Sequence, residues 1–233
     1  MADVFTDLQA ETEALAELAE RHGYGPGPDL TEHFARLTST ARLVRLSAEN
    51  PGAFGVTPQI SYGSLDEAIV TWLIEQRKAN ALLATAPAKP ELPWNDGPLR
   101  PSVLAAAALT ELFACGQDIA DTLGVRARRH DEIGHVAYYG VRTRDRAYHR
   151  YQRTPPGPFR FELRAPSGTR WDFGPEEAAD RVAGPAEDFC LLVTGRRRAE
   201  DLALTFTGEH SAEWLELLES ERRHSNGDGS PAP

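Results

Sequence analysis

Glu111, Cys115 and Asp118 stand at i, i+4 and i+7, with Thr122 four residues further on, so a helix running through them carries one narrow polar stripe. Around the stripe the segment reads Val103, Ala106, Ala107, Leu109, Phe113, Ala114, Ile119, Ala120 and Leu123, apolar nearly all round. Such a helix belongs at the centre of a bundle. A carboxylate carried there must be neutralised, hydrogen-bonded, paired with a cation or bound to a metal. Two uses fit: a structural polar network tying bundle helices together, or a ligand site facing a bundle cavity. The spacing does not choose between them. Cys115 could act as a nucleophile if an arginine beside it lowered its pKa, yet the sequence places no histidine base next to it, and a buried cysteine is more often inert packing.

A second constellation follows. His135, Tyr139 and Arg142 share a face at i, i+4 and i+7, which could present an acid/base group and an anion clamp to a cavity. The competing account is a hydrogen-bonded, partly buried histidine and a solvated arginine. Cys190, inside Phe189-Cys190-Leu191-Leu192-Val193, has only core-forming neighbours and reads as structural. Arg196 to Arg198 close a helix-length apolar run, where cations complement the helix dipole, and Arg126, Arg128 and Arg129 have the same explanation.

The elements that position these residues are mostly helices. Val4, Leu8, Leu15 and Leu18 repeat at helical spacing until the Gly/Pro-rich stretch from Gly23 to Pro28. Asp29 can cap a second helix with Leu30, Phe34, Leu37, Ala41 and Val44 on its apolar face, ending before Asn50-Pro51-Gly52. Ser64 can cap a third, with Leu65, Ile69, Trp72, Leu73, Leu82 and Leu83 as its buried stripe. After a proline-rich loop from Pro87 to Pro101, the fourth is expected from Ser102 to Leu123 with Gly124 as its stop, and a fifth from Asp131 to Tyr151.

Thr154-Pro155-Pro156-Gly157-Pro158 reads as a linker and places a domain boundary there: a helical bundle over residues 1–153, an α+β domain over 154–224, and a polar, disordered tail over 225–233. Phe159 to Leu163 alternates as a half-buried strand does, and Ser167-Gly168 can turn the chain into a partner strand from Thr169 to Phe173. Ala186 to Thr194 then reads as a helix, Ala203 to Thr207 as a strand, and the stretch through Trp214, Leu217 and Leu218 as a last helix.

Composition sets the outer bounds. Twenty-five basic against 35 acidic residues leave a formal charge of −10, which opposes binding to nucleic acid or anionic lipid. No basic leader opens the chain and no run of about 18 uninterrupted apolar residues occurs, so a soluble, cytoplasmic protein with no membrane partner is expected. Two cysteines far apart in sequence are expected to be thiols. No Gly-rich phosphate loop, Cys-rich zinc pattern or Gly-x-Ser-x-Gly elbow points to other chemistries.

Leu112-Phe113-Ala114-Cys115-Gly116-Gln117-Asp118 through Gly124, preceded by Glu111, resembles the Glu-(three residues)-His-Gly-Gln-Asp segment of DinB-like, mycothiol-dependent maleylpyruvate isomerase family proteins, with Cys115 at the histidine position. Pro93-Trp94 with Gly97-Pro98 is similar to the loop before that helix in the family, and His135-Val136-Ala137 with Gly140 to Arg144 to the helix after it. Trp171 to Arg197, including Gly174-Pro175-Glu176, Ala179 to Val182 and Asp188 to Thr194, resembles the family's C-terminal domain. About two thirds of the chain is covered.

The resemblance implies an α+β protein: a DinB-like four-helix bundle with a three-ligand divalent metal site, a small sterol-carrier-like C-terminal α/β domain, and thiol-assisted isomerisation or transfer on a small molecule. Counted back from Asn50-Pro51, the family's first histidine ligand falls on Arg36, and the tryptophan expected near the start of the second helix is missing because the segment from Gly23 to Asp29 is shortened. Glu111 alone keeps its ligand type. Arg36 cannot ligate a metal, but beside Glu111 it could replace the lost ion's charge. His33, one turn earlier, could rescue a zinc set with Glu111 and Cys115 only if the helix register shifted by a turn, about 5 Å.

These readings converge on a metal-independent isomerase, lyase or cyclase that takes a small-molecule substrate. Arg36, Glu111, Cys115, Asp118 and His135 are its catalytic candidates, and His33, Tyr139 and Arg142 its substrate-binding candidates. No cofactor is expected; mycothiol and a divalent metal such as zinc, on Glu111, Cys115 and His33, are the alternative, and a homodimer is admitted as the assembly. The rival from another class is a non-catalytic ligand- or partner-binding protein in which Arg36 and Glu111 only hold the bundle together.

Overall fold

Four long helices form the first half of the chain. The computed structural model describes residues 3–22, 29–55, 60–89, 91–95 and 97–225; the Gly/Pro break at residues 23–28 and the tail from residue 226 onward lie outside the described residues. Helix α1 spans Val4–His22 and buries Leu8, Leu15 and Ala19; α2 spans Thr31–Glu49 and buries Phe34, Leu37, Ala41 and Val44. Helix α3, Leu65–Thr85, starts at Ser64, whose side chain accepts a hydrogen bond from the Glu67 backbone N–H at 3.2 Å. Helix α4, Pro101–Leu123, begins on a proline and stops at Gly124, where φ is +64°.

The chain packs as two units, Met1–Arg128 and Arg129–Pro233. In the first, α2 packs along α3 and α1 along α4, with α2 also against α4. Sixteen residues of α4 are buried, the densest burial in the unit. By length and composition alone α4 could cross a membrane, but 83% of its most apolar window is buried against protein, as in a core helix. Between α1 and α3 the core is polar: the Gln76 amide donates to Asn80 Oδ1 at 2.9 Å, and the Asn80 amide donates to Gln9 Oε1 at 3.1 Å and to Thr12 Oγ1 at 3.3 Å. Gln76 and Asn80 replace apolar residues in the α3 stripe, and these hydrogen bonds make their burial tolerable.

The second unit starts with two helices where one was expected: α5, Ile133–Arg142, and α6, Asp145–Arg150. The Thr143 hydroxyl donates back to the Tyr139 carbonyl at 2.8 Å where the two separate. Strands β1 (Phe159–Arg164) and β2 (Arg170–Phe173) form the expected antiparallel hairpin, Phe161 opposite Phe173. A strand the sequence reading missed, β3 (Asp180–Pro185), runs parallel to β1, and β4 (Thr205–Thr207) completes the order β2-β1-β3-β4. Helix α7 (Ala186–Val193) and α8 (Glu209–Ser225) pack on this sheet. Phe159, Phe161, Phe189 and Trp214 form its aromatic core, with ring centroids 5.5 Å apart for Phe161 and Phe189 and 5.9 Å for Phe161 and Trp214.

The division between units therefore precedes α5 and does not fall at Thr154. Helix α5 packs on α7 so closely that a Cβ on Gly140 would lie 2.9 Å from Val193 Cγ2 and 3.2 Å from Phe189 Cε1. The proline-rich stretch is held inside the second unit by Arg144, which donates to the carbonyls of Gly157 at 2.7 Å and Pro156 at 3.4 Å and lies 4.4 Å from the centroid of the Phe159 ring. The architecture is α+β, as expected.

Candidate functional site

Helices α2 and α4 each contribute one i, i+3 pair to a common point. On α2, Phe34 and Leu37 face the core, which leaves His33 and Arg36 on the flank turned toward α4. On α4, Cys115 is buried at 2% exposure, while Asp118 one turn later keeps 25% of its side chain in water. Arg36 reaches both: its Nη2 donates to Cys115 Sγ at 3.1 Å and forms a short ion pair with Asp118 Oδ2. The Cys115 thiol donates to the His33 carbonyl at 3.5 Å.

The guanidinium is half exposed, so it is solvated on one side and bonded on the other. Burial works against its charge, but attraction to the Cys115 sulfur and the hydrogen bonds to Asp118 and Cys115 more than offset this and hold its pKa above the ordinary arginine value. Arg36 is a fixed cation at this point. One ligand atom from each of His33, Cys115 and Asp118 lies within 4.8 Å of the other two. Nitrogen, sulfur and oxygen donors at that spacing are chemically suited to zinc, and two of the three residues are the ones Arg36 holds.

The structure thus brings His33, Arg36, Cys115 and Asp118 together. Glu111 is exposed, two helical turns before Asp118, so the carboxylate on Arg36 is Asp118 and not the glutamate of the expected pair. The expectation failed because α4 is not buried all round: Thr110 and Glu111 interrupt its buried surface, and a carboxylate stays in water where it can. His33 reaches the donor cluster with no shift of register. The signal for Asp118 was legible, since Cys115 and Asp118 on α4 repeat the i, i+3 spacing of His33 and Arg36 on α2.

His135, Tyr139 and Arg142 belong to the second unit. His135 and Tyr139 are buried there and Arg142 is exposed. The Tyr139 hydroxyl accepts a hydrogen bond from Arg146 Nη2 at 2.8 Å, with the same guanidinium 5.2 Å from the ring centroid. Cys190 is structural, as expected: it is fully buried, its sulfur lies 3.6 Å from the Ile133 carbonyl, and burial pushes its thiol pKa up.

Comparison with known proteins adds three findings. Residues 155–207 match the family model described as "Wyosine base formation". The proteins MT0041 and Rv0036c, each from a strain of Mycobacterium tuberculosis and each described as uncharacterized, are 37% identical to this chain over 183 residues, 77% of this chain and 71% of theirs. A crystal structure of a histidine-to-alanine mutant of the mycothiol-dependent maleylpyruvate isomerase superposes with a TM-score of 0.50 at 13% identity, over 87% of this chain and 91% of that one. At that identity the likeness is one of fold.

Proposed function

The chain belongs to one family with the Mycobacterium tuberculosis proteins MT0041 and Rv0036c and has the fold of the mycothiol-dependent maleylpyruvate isomerase, and from that premise we propose that it is a small-molecule enzyme of isomerase, lyase or cyclase type whose working cation is Arg36. One observation carries the reading: a guanidinium 3.1 Å from a buried cysteine sulfur and bonded to Asp118 stands beside the set of donors that could otherwise hold a metal. Arg36 stabilises negative charge that develops on a substrate oxygen, through donors already held in place. Asp118 orients the guanidinium, Cys115 supplies a sulfur within its hydrogen-bond reach, and His33 supplies a proton donor or acceptor one turn away.

The fold family implies a divalent metal, and His33, Cys115 and Asp118 fit one by donor type and spacing. A bound zinc-class ion would supply Lewis acidity toward a substrate carbonyl. The donor cluster favours that second reading, a metal- and mycothiol-dependent isomerase or transferase; Arg36 on two of its three members favours the first.

The test uses protein purified without chelator or added metal. Its metal content is measured, and a panel of small carboxylic acids that includes maleylpyruvate is screened for turnover with and without EDTA and mycothiol. Turnover that survives EDTA and is lost in Arg36→Met supports the proposal. Turnover that needs zinc sinks the metal-free reading, and tight binding without turnover across the panel favours a binding protein.

A further inference from the structure

We propose that Arg36 is a built-in competitor for a zinc-class metal ion, so that the site formed by His33, Cys115 and Asp118 takes the metal only when the guanidinium leaves. The inference rests on the same four residues as the proposed function but does not require that they catalyse anything.

The donors and the guanidinium occupy the same space. A zinc ion bonds sulfur at about 2.3 Å, whereas Arg36 Nη2 stands 3.1 Å from Cys115 Sγ and also holds Asp118. An ion bonded to both residues would lie within a few ångströms of a permanent positive charge at a partly buried point, where water screens the repulsion poorly. Arg36 would also lose Cys115 and Asp118, its hydrogen-bond and ion-pair partners, to the metal. A guanidinium does not shed its proton to relieve the conflict. The two cations therefore exclude one another.

The exchange is mechanically open. Arg36 is about half exposed on a flexible stem, so it can turn into water without leaving a hole in the core, whereas Cys115 and Asp118 ride on the most buried helix of the unit. His33, one turn from Arg36 on α2, supplies the third donor once Arg36 is gone. Zinc binding then forms metal bonds to imidazole nitrogen, thiolate and carboxylate, and the thiol proton passes to solvent. Three protein donors leave a fourth position for water or an incoming ligand. This chain thereby holds two alternative positive charges, one covalent and one exchangeable.

The test measures metal affinity on the full chain, with zinc in competition against a chromophoric chelator and with cobalt(II) as a spectroscopic probe of sulfur ligation. Arg36→Met is expected to bind zinc roughly tenfold more tightly or better, by removal of the adjacent charge, with a cobalt–sulfur absorption band that Cys115→Ser abolishes. His33→Ala and Asp118→Asn, each placed in the Arg36→Met background, should weaken the gain. If Arg36→Met fails to fold, Arg36→Gln removes the charge and keeps a donor, and it carries the same expectation. Equal zinc affinity in wild type and both Arg36 variants, or tight binding indifferent to Cys115→Ser, would overturn the proposal. A gain in affinity with no turnover of any substrate would leave it standing while the proposed enzyme fell; EDTA-resistant turnover with no gain would do the reverse.

Discussion

Asp118 and Arg36 are the pair on which the site's stability turns, and their exposure sets its size. A fully buried pair broken on one side costs about 3–5 kcal/mol and an exposed pair about 0–1. With 49% of the guanidinium and 25% of the carboxylate side chain in water, Arg36→Met should lower the unfolding free energy by an intermediate amount, about 1–2 kcal/mol. Arg36→Met combined with Asp118→Leu should recover part of that loss, since no carboxylate then lacks its partner. Glu111→Leu, whose carboxylate is not the one on Arg36, should simply add to Arg36→Met. Urea unfolding of the two double variants decides: coupling through Glu111 and not through Asp118 would mean that the pair has been misidentified. All four site residues were legible as candidates, Cys115 and Asp118 because polar groups on an apolar helix demand a partner and Arg36 and His33 through the family resemblance counted back from Asn50-Pro51. Which carboxylate met the arginine was not, because spacing along α4 does not say where that helix leaves the core.

At the level of elements, the least legible was β3. Of its six residues, Asp180 and Val182 are buried, and it ends in Gly184-Pro185, so it shows neither a run of apolar residues nor a clean alternation. Its buried aspartate is spent on a neighbouring helix. Asp180 Oδ1 accepts from the backbone N–H groups of His210 at 2.9 Å and Ser211 at 3.1 Å, and Oδ2 lies 3.0 Å from His210 Nδ1, which satisfies the start of α8 from across the sheet. Asp180→Ala should therefore cost about 2 kcal/mol, the upper end for a cap, because the carboxylate is also buried; a loss no larger than that of an exposed alanine substitution would defeat this account. Tyr148, fully buried on α6, donates its hydroxyl to the His210 carbonyl at 3.0 Å, and burial, reinforced by the Glu213 charge, pushes its pKa up to about 12. The sign follows directly. The unfolded chain loses this proton near pH 10 and the folded chain near 12, so this contribution is complete below pH 10 and is lost as pH rises through that window. Removing the group removes the slope: in base titrations followed by circular dichroism, Tyr148→Phe should be less stable near neutrality but show a shallower fall between pH 10 and 12. An unchanged slope would mean that another group governs alkaline unfolding.

For the whole molecule, composition and packing disagree about where one unit ends, and the physical reason is an arginine that composition alone cannot assign. Thr154 to Pro158 has the prolines and glycine of a linker, yet two of its carbonyls are hydrogen-bonded by Arg144, whose side chain is 10% exposed. The division lies instead near Val125 to His130, where the chain follows the Gly124 stop through an irregular stretch that contains Arg126, Arg128 and Arg129. Those arginines had been explained as the end of a helix, which accounts for their charge but not for the absence of regular structure after them. Arg126 and Arg128 are exposed in backbone that belongs to no helix or strand, the condition under which a protease can draw a segment into its active site. Limited trypsin digestion of the native protein should therefore cut first after Arg126 or Arg128. Arg153, exposed too and joined to Glu213 by a 2.7 Å ion pair, should resist longer because the residues that follow it are tied down. Arg144→Ala, which removes both carbonyl contacts, should bring cleavage after Arg153 forward while leaving the earlier sites unchanged. Mass spectrometry of the first fragments separates the two boundaries: an N-terminal product ending at Arg153 in the wild type, ahead of any ending at Arg126 or Arg128, would restore the proline-rich stretch as the linker and remove α5 and α6 from the second unit.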